Sequence, residues 1–298
     1  MNYTRCGKSG LLLPRISFGL WNNFGSGADY AACRDVILAA FEHGISHFDL
    51  ADVYGPPPGA AESVFGRILR DDLAARRDEL VVATKAGHPV WDGPYGDWGS
   101  RKHLLAALDR SLKRLNVDYV DIFYHHRPDP DTPLEESLGA LISAVRQGKA
   151  LYIALSKYPP QLLREACRIL AEEKVPCLAH QVRYNLLERP EDTLQAAADC
   201  GVGTVVFSPL AQGLLTNKYA SGIPAGSRMS ESPVFFRPEI LTPEKTEQLR
   251  ALNAEAAARG MSLTEHAIRF VLSDPRVATA VVGARTKEQL LENIRYAE

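Results

Sequence analysis

Asp49, Tyr54, Lys85 and His126 are residues whose types suit delivery of a proton to an oxygen that is gaining negative charge. A free phenol titrates near ~10, too high to release its proton readily at neutral pH. An ammonium within about 4–6 Å favours the phenolate, so Lys85 beside Tyr54 is expected to bring that pKa down. Asp49 would keep the ammonium charged and offset the cost of burying it. His126 could position a carbonyl oxygen and donate a hydrogen bond to it. The set suits proton donation coupled to hydride delivery. Each member also has an ordinary reading. Asp49 could be a solvated loop acid, Tyr54 a ring packed beside Pro56, Pro57 and Pro58, and Lys85 a surface lysine after an edge strand.

Histidine pairs raise metal binding as a rival. His125 and His126 are adjacent, but on extended backbone neighbouring side chains point to opposite faces. His43 and His47 are four apart, yet Gly44 breaks the helix that would align them. No metal ligand is therefore assigned. Cys177 reads as a core thiol, because no acid–histidine pair is placed to activate it. The triple proline could be a polyproline ligand, but it reads better as the neighbour of a catalytic loop.

These residues need elements to hold them, and the hydrophobic pattern supplies a regular series. Residues 3–14 read as a hairpin turning at Gly7-Lys8-Ser9-Gly10. Strands are expected at 16–20, at 45–48 running into Asp49, and at 80–84 running into Lys85. Further strands are expected at 119–124 before His125-His126, at 150–155 before Ser156-Lys157, and at 177–180 before Gln181. The last two are 203–207 before Ser208, and 278–282 before Gly283. Helices are expected at 28–43, 60–69, 100–115, 133–147, from about 158 to 173, 191–200, 242–259, 263–272 and from Thr286 onward. Gly44 and Gly148 are placed as stops and Pro133 as a first-turn residue. The stretch 210–238 reads mostly as loop. It and the loop before residue 100 are candidate lids.

Eight strand-then-helix units with near-continuous apolar strands predict a parallel sheet covered on both sides. No G-x-G-x-x-G follows a strand, which disfavours a Rossmann sheet. The expected fold is α/β: a (β/α)8 TIM barrel, residues 1–298 forming one domain, with the N-terminal hairpin capping the bottom. Chemistry in such barrels sits at the carboxyl ends of the strands. Here those ends carry Asp49, Lys85, His126, Ser156, Gln181, Ser208 and Gly283.

Composition narrows the function classes. Apolar residues make up 46% of the 298, enough for a large core. A formal charge of −2, with no basic stripe, removes the electrostatic case for nucleic acid or an anionic membrane. No apolar run reaches the ~18 residues of a membrane helix, and the first residues do not read as a signal peptide. Five scattered cysteines argue for reduced thiols in a cytoplasm.

Several motifs taken together resemble the aldo-keto reductase family over essentially the whole chain. They are Phe48-Asp49-Leu50-Ala51-Asp52-Val53-Tyr54-Gly55, Ala83-Thr84-Lys85-Ala86-Gly87 and Asp121-Ile122-Phe123-Tyr124-His125-His126-Arg127. Others are His180-Gln181, Tyr184-Asn185-Leu186-Leu187, the run from Ser208 to Thr216, Val282-Gly283-Ala284-Arg285, and Gln289 to Asn293. The nearest likeness is the branch holding L-glyceraldehyde 3-phosphate reductases and potassium channel β subunits. The resemblance places the family's acid, tyrosine, lysine and histidine on Asp49, Tyr54, Lys85 and His126. Channel β subunits usually carry asparagine at the last position, so the histidine favours a working reductase.

The same resemblance implies NADPH or NADP+ lying across the barrel rim. Ser156 and Gln181 would hold the nicotinamide carboxamide, and Phe207 would stack on its ring. Trp21, Asp49 and Gly283 would join the cofactor site, and Ser208, Leu210 and Gly213 would line the pyrophosphate. Arg285, Gln289, Glu292 and Asn293 would surround the adenosine end, with Arg285 beside a helix start suiting the 2′-phosphate. Relatives often carry serine in place of Arg285, and asparagine or serine in place of Lys157. Substrate contacts are expected from Trp21, Tyr54, Trp91 and His126. Trp98 is a further candidate wall, and Arg127 or another rim cation would meet a substrate phosphate. The implied activity is reduction of small aldehydes, such as L-glyceraldehyde 3-phosphate or methylglyoxal, in a branch that often assembles as a homo-tetramer or homo-octamer. The alternatives are an NADPH-binding regulatory subunit, or a metal-dependent isomerase or hydrolase using Asp49, His125 and His126.

Overall fold

The structure is a computed structural model that describes residues 1–216 and 241–297. Most of the loop expected at 210–238, and with it the second candidate lid, lies outside the described residues.

Strands β1 (Tyr3–Arg5) and β2 (Leu12–Pro14) pair antiparallel as the expected hairpin. The other eight strands are β3 (Ile16–Gly19), β4 (His47–Asp49), β5 (Val81–Ala86), β6 (Val120–His125), β7 (Ala150–Ser156), β8 (Cys177–Arg183), β9 (Gly203–Phe207) and β10 (Val277–Val282). They follow one another around a closed barrel in which β9 and β3 both pair with β10. Every pair in it is parallel. The fold is the expected (β/α)8 barrel, with helices around the outside. Those helices are α1 (Tyr30–Glu42), α2 (Ala60–Asp72), α3 (Arg101–Leu115), α4 (Leu134–Arg146), α5 (Pro160–Glu172), α6 (Glu191–Cys200), α7 (Pro243–Ala258), α8 (Leu263–Ser273) and α9 (Lys287–Arg295).

Period-two alternation divides each strand between lumen and helix layer. Val81, Ala83, Ile122, Tyr124, Ala154, Ala179, Val205 and Val281 form an inner cluster. Val82, Phe48, Phe123, Ile153 and Val206 belong instead to the large outer core, with Ile37, Phe65, Leu108, Leu141 and Leu163 from the helices. Counting in steps of two from the inner set reaches Lys85, His126, Ser156, Gln181, Phe207 and Gly283. The register also sets Asp49 opposite Gly19 and Ala83 on its flanking strands. One alternation rule therefore turns the expected site residues inward at one rim.

The hairpin closes the opposite end. Cys6 and Leu13 join the inner cluster, the Cys6 thiol reaches the Leu178 carbonyl at 3.7 Å, and the Lys8 amide donates to the Gly201 carbonyl at 2.9 Å. Both carbonyls lie where strands enter the barrel. Outside, α2 approaches α3 closely at Gly66, where a β-carbon would stand 2.2 Å from the Arg114 carbonyl oxygen. Among the described residues, no helix is long and apolar enough to cross a membrane.

Buried histidines sit in both layers. Inside the barrel Ser17 Oγ lies 2.8 Å from His47 Nδ1 and 2.6 Å from Thr279 Oγ1. Outside it, His125 Nδ1 meets Tyr158 Oη at 2.7 Å, and His180 Nε2 accepts from the Tyr158 amide at 3.1 Å. Burial pushes the pKa of His47, His125 and His180 each down to about 4. Unfolded histidine titrates near ~6.5, so below that pH the unfolded chain takes up protons the folded chain does not. Stability is then complete above pH ~6.5 and falls as pH drops toward about 4. The expected loss between pH 7 and pH 5 is about 2 kcal/mol for each of the three, read as a lower urea midpoint. A midpoint constant over that range would contradict it.

Candidate active site

At the carboxyl rim, one ammonium organises its neighbours. Lys85 Nζ donates to Asp49 Oδ2 at 2.6 Å, to the Leu50 carbonyl at 2.8 Å and to Tyr54 Oη at 3.4 Å. Three acceptors around one nitrogen is the environment of an ammonium, whose three hydrogens are then all used. The lysine side chain is 0% exposed. The second Asp49 oxygen accepts from Gln181 Nε2 at 2.9 Å, which ties β4 to β8 across the rim. His126 presents its ring to Tyr54 edge-on, with centroids 5.9 Å apart. The four residues expected to act together are together.

Electrostatics correct one expectation. Burial pushes the Tyr54 phenol well above its ordinary range, and Asp49 and Asp52 add to the rise. Desolvation outweighs the neighbouring ammonium, so the phenol is raised where the sequence predicts it lowered. Burial also pushes the Lys85 pKa down, against the pull of Asp49. His126 is held well below its usual value by burial, then by Lys85, His88 and Lys157, so its imidazole is neutral at pH 7. Its neighbour His125 faces the opposite way, toward Tyr158. Among the described residues, no group of three or more His, Cys, Asp or Glu is arranged to hold a metal ion.

A cavity of about 730 Å³ opens from this group along the rim. Asp49, Tyr54, His126, Gln181 and Trp21 line one part, followed by Phe207, Ser208, Leu210 and Gly213 after β9. Gly283, Arg285, Gln289, Glu292 and Asn293 complete it, near the start of α9. That start is capped by Thr286, and Gln289 Oε1 accepts from the Arg285 amide at 3.0 Å. Glu292 accepts from Tyr296 Oη at 2.6 Å. Ser156 lies just behind the lining, its hydroxyl buried and without a partner. The Ser208 carbonyl is held by Asn185 Nδ2 at 3.1 Å.

Other expected contacts fall elsewhere. Trp91 is outside the cavity lining; its indole packs on His103, 5.2 Å between centroids, and carries Arg110 over its face at 4.6 Å. Trp98 lies under the Arg127 guanidinium at 3.6 Å, also away from the lining. Arg127 donates to the Gly87 carbonyl at 2.8 Å and to Asp97 at 2.7 Å, so it is already engaged by protein. The loop before residue 100 is tied down by these contacts and by the Gly99 amide, which donates to Asp129 at 2.8 Å. Lid motion is a poor reading of it. Asp52, in the same loop as Tyr54, is 2% exposed, and burial with Glu62 nearby pushes its carboxyl well above the usual range.

Several cavity residues escaped the sequence reading, Arg183 and His88 among them. β8 runs on past Gln181 to Arg183, which brings that guanidinium to the rim. His88 stands edge-on to His126, centroids 4.4 Å apart. Its only signal was position, three residues beyond Lys85.

A closed parallel barrel with a rim cavity built around a buried acid–lysine pair defines an α/β barrel enzyme scaffold. The model of the Aldo/keto reductase family matches residues 15–298, and the chain belongs to that family. It is 50% identical over 301 residues to an L-glyceraldehyde 3-phosphate reductase of Escherichia coli (strain K12), covering 99% of this chain and 87% of the relative. It is 36% identical over 303 residues to a probable voltage-gated potassium channel subunit beta of Oryza sativa subsp. japonica, covering 99% and 90%. A putative subunit of the same kind from Schizosaccharomyces pombe is 34% identical over 304 residues, covering 98% and 87%. The chain is an oxidoreductase acting on carbonyl groups, in a family that generally uses NAD(P)H.

The ion pair yields a test separable from turnover. Lys85→Met leaves the Asp49 carboxylate buried without its cation, and about 3–5 kcal/mol of stability is expected to be lost. Removing the charge as well, in Asp49→Asn/Lys85→Met, should restore most of it. A double variant no more stable in urea than the single one would refute the pairing argument.

Proposed function

We propose that this chain reduces small aldehydes with NADPH, L-glyceraldehyde 3-phosphate being the leading substrate and methylglyoxal the second candidate. The observation that carries the reading is the Tyr54 Oη–Lys85 Nζ contact of 3.4 Å at a cavity also lined by His126 and Gln181. The 50% identical relative is named for the phosphorylated aldehyde.

The residues present fit the cofactor. The unpartnered, buried Ser156 hydroxyl offers a hydrogen-bonding group at the rim, and Gln181 is fixed beside it by Asp49. Ser156 and Gln181 would hold the carboxamide, Phe207 would cover the ring, and Ser208, Leu210 and Gly213 would follow the pyrophosphate. Arg285 at the start of α9 supports NADPH over NADH, because a guanidinium beside a helix N-terminus favours a phosphate. The cofactor, when bound, supplies the hydride.

Tyr54 then gives its proton to the oxygen of the accepted carbonyl. A raised pKa suits that role: the phenol carries its proton at rest, and phenolate charge appears only during transfer. Lys85 stands where that charge appears, and Asp49 holds it there without reorganisation. A neutral His126 donates one hydrogen bond to the same oxygen and orients the substrate. Tyr54→Phe is expected to lower kcat for NADPH oxidation with an aldehyde panel by about 10²–10⁴-fold. Equal turnover by the two proteins would sink the mechanism.

Identity of 34–36% to channel subunits beta favours one second reading, a cofactor-binding regulatory protein. Bound NADPH with no turnover of any aldehyde, and a stable protein partner, would select it.

A further inference from the structure

The cavity near Tyr54 and His126 holds a cation that the chemistry above does not use. Lys157 follows Ser156 at the end of β7 and lines the cavity, with its side chain exposed there. Its Nζ lies 3.1 Å from His88 Nε2. An ammonium has only donors, so His88 must accept at that nitrogen through a neutral ring. The same ring stands edge-on to His126, which in turn faces Tyr54. A neutral imidazole thus orients Lys157 toward the reacting end without cancelling its charge.

The neighbouring rim cations differ. Arg127 is committed to Asp97 and the Gly87 carbonyl and stacked on Trp98. Arg183 is paired with Glu188 at 3.6 Å, while it and Lys157 both lie over Phe207, 5.4 and 5.9 Å from the ring centroid. Arg285 belongs to the far end, near α9. Among the described residues, Lys157 has no carboxylate within ion-pair distance, and its hydrogen-bond partner is uncharged. Its backbone sits at φ 60, a conformation that side chains other than asparagine, aspartate and glycine seldom adopt. A lysine there places a charge where backbone preference would not put one.

We propose that Lys157, oriented by His88, is the specificity residue that receives the anionic phosphate of a short phosphorylated aldehyde. The proposal rests on the reductase reading and names the group that selects its substrate class. The charge has a pH limit. Partial desolvation, with Lys85 from β5, Arg183 from β8 and Arg127 after β6 repelling it, lowers the Lys157 pKa to about 8. His88 is pushed down to about 4 and stays neutral throughout. A phosphate monoester becomes a dianion above pH ~6. Preference for the phosphorylated aldehyde should therefore be greatest between about 6 and 8 and decline as pH rises through about 8.

The test compares glyceraldehyde 3-phosphate with glyceraldehyde at saturating NADPH, for wild type, Lys157→Asn and Lys157→Arg. Asparagine tolerates the left-handed backbone, so the charge is removed without added strain. The ratio of kcat/KM, phosphorylated over plain, is expected to fall about 10- to 100-fold in Lys157→Asn, as for loss of one charge-assisted hydrogen bond. The fall should lie mainly in KM, and Lys157→Arg should recover most of it. The decline of the ratio above pH 8 should disappear in Lys157→Asn. An unchanged ratio overturns the proposal. Equal loss on both aldehydes with weaker NADPH binding, read by fluorescence titration, also overturns it and assigns Lys157 to the cofactor. Turnover of neither aldehyde by wild type removes the reductase reading itself, and this inference with it.

Discussion

A lysine with no exposed side-chain surface survives only if its ammonium is solvated by protein, since the cost of stripping its water is several kcal/mol. Lys85 is solvated by one carboxylate, one carbonyl and one phenol. Those groups come from β4 and the loop after it, so the contact exists only if β4 and β5 are adjacent and in register. The pairing of Asp49 with Ala83 sets that register. A slip of one residue would turn Lys85 into the helix layer and leave Asp49 unpaired. The ion pair is poor evidence of net stability, but it makes wrong registers costly and so specifies the rim.

From that constraint the rest of the site follows. Gln181 is held by the Asp49 oxygen that Lys85 leaves unused, so the lysine beside Tyr54 and the expected cofactor face share one carboxylate. Tyr54 has no strand of its own. Its loop is fixed by the Gly59 and Ala61 amides, both of which donate to the Tyr54 carbonyl, and by α2 behind it. Glu62 on α2 is itself buried against Arg114 at 2.6 Å and Thr84 at 2.5 Å. Helix packing outside the barrel thereby positions a phenol at its mouth.

Strand-end chemistry was legible in the sequence because a strand's side chains obey one short period. Once eight apolar runs are placed, the inward phase reaches Lys85, His126, Ser156, Gln181, Phe207 and Gly283 with no further information. The run of residues lining the rim cavity was legible for the same reason, helped by motif likeness after β9 and before α9. Loop side chains obey no such period. Trp91, Trp98 and Arg127 found partners 30 residues away or on another helix, as Arg127 did with Asp97. Nothing in the sequence marks Asp52, on the Tyr54 loop, as buried, yet it is 2% exposed. The phenol's direction of shift failed for a different reason. Sequence names the neighbouring charge, but the desolvation that outweighs it depends on depth, which only packing sets.

The distribution of charge around the cavity has its own logic. Tyr54, His126 and His88 stand around a single ion pair and are held neutral by burial, and burial also pushes the Asp52 carboxyl well above its usual range. In a poorly solvating pocket, extra charges next to that pair would compete with it for the same dipoles. For the proton transfer proposed, neutral neighbours would let Lys85 respond to charge appearing on Tyr54 rather than to standing charges nearby. Lys157 is the exception, and it stands at the exposed edge where a charge is affordable. A buried cation that answers a transient charge and a rim cation with no carboxylate partner are different devices. In the chemistry proposed, the first bears on the reaction and the second on which molecule is drawn in.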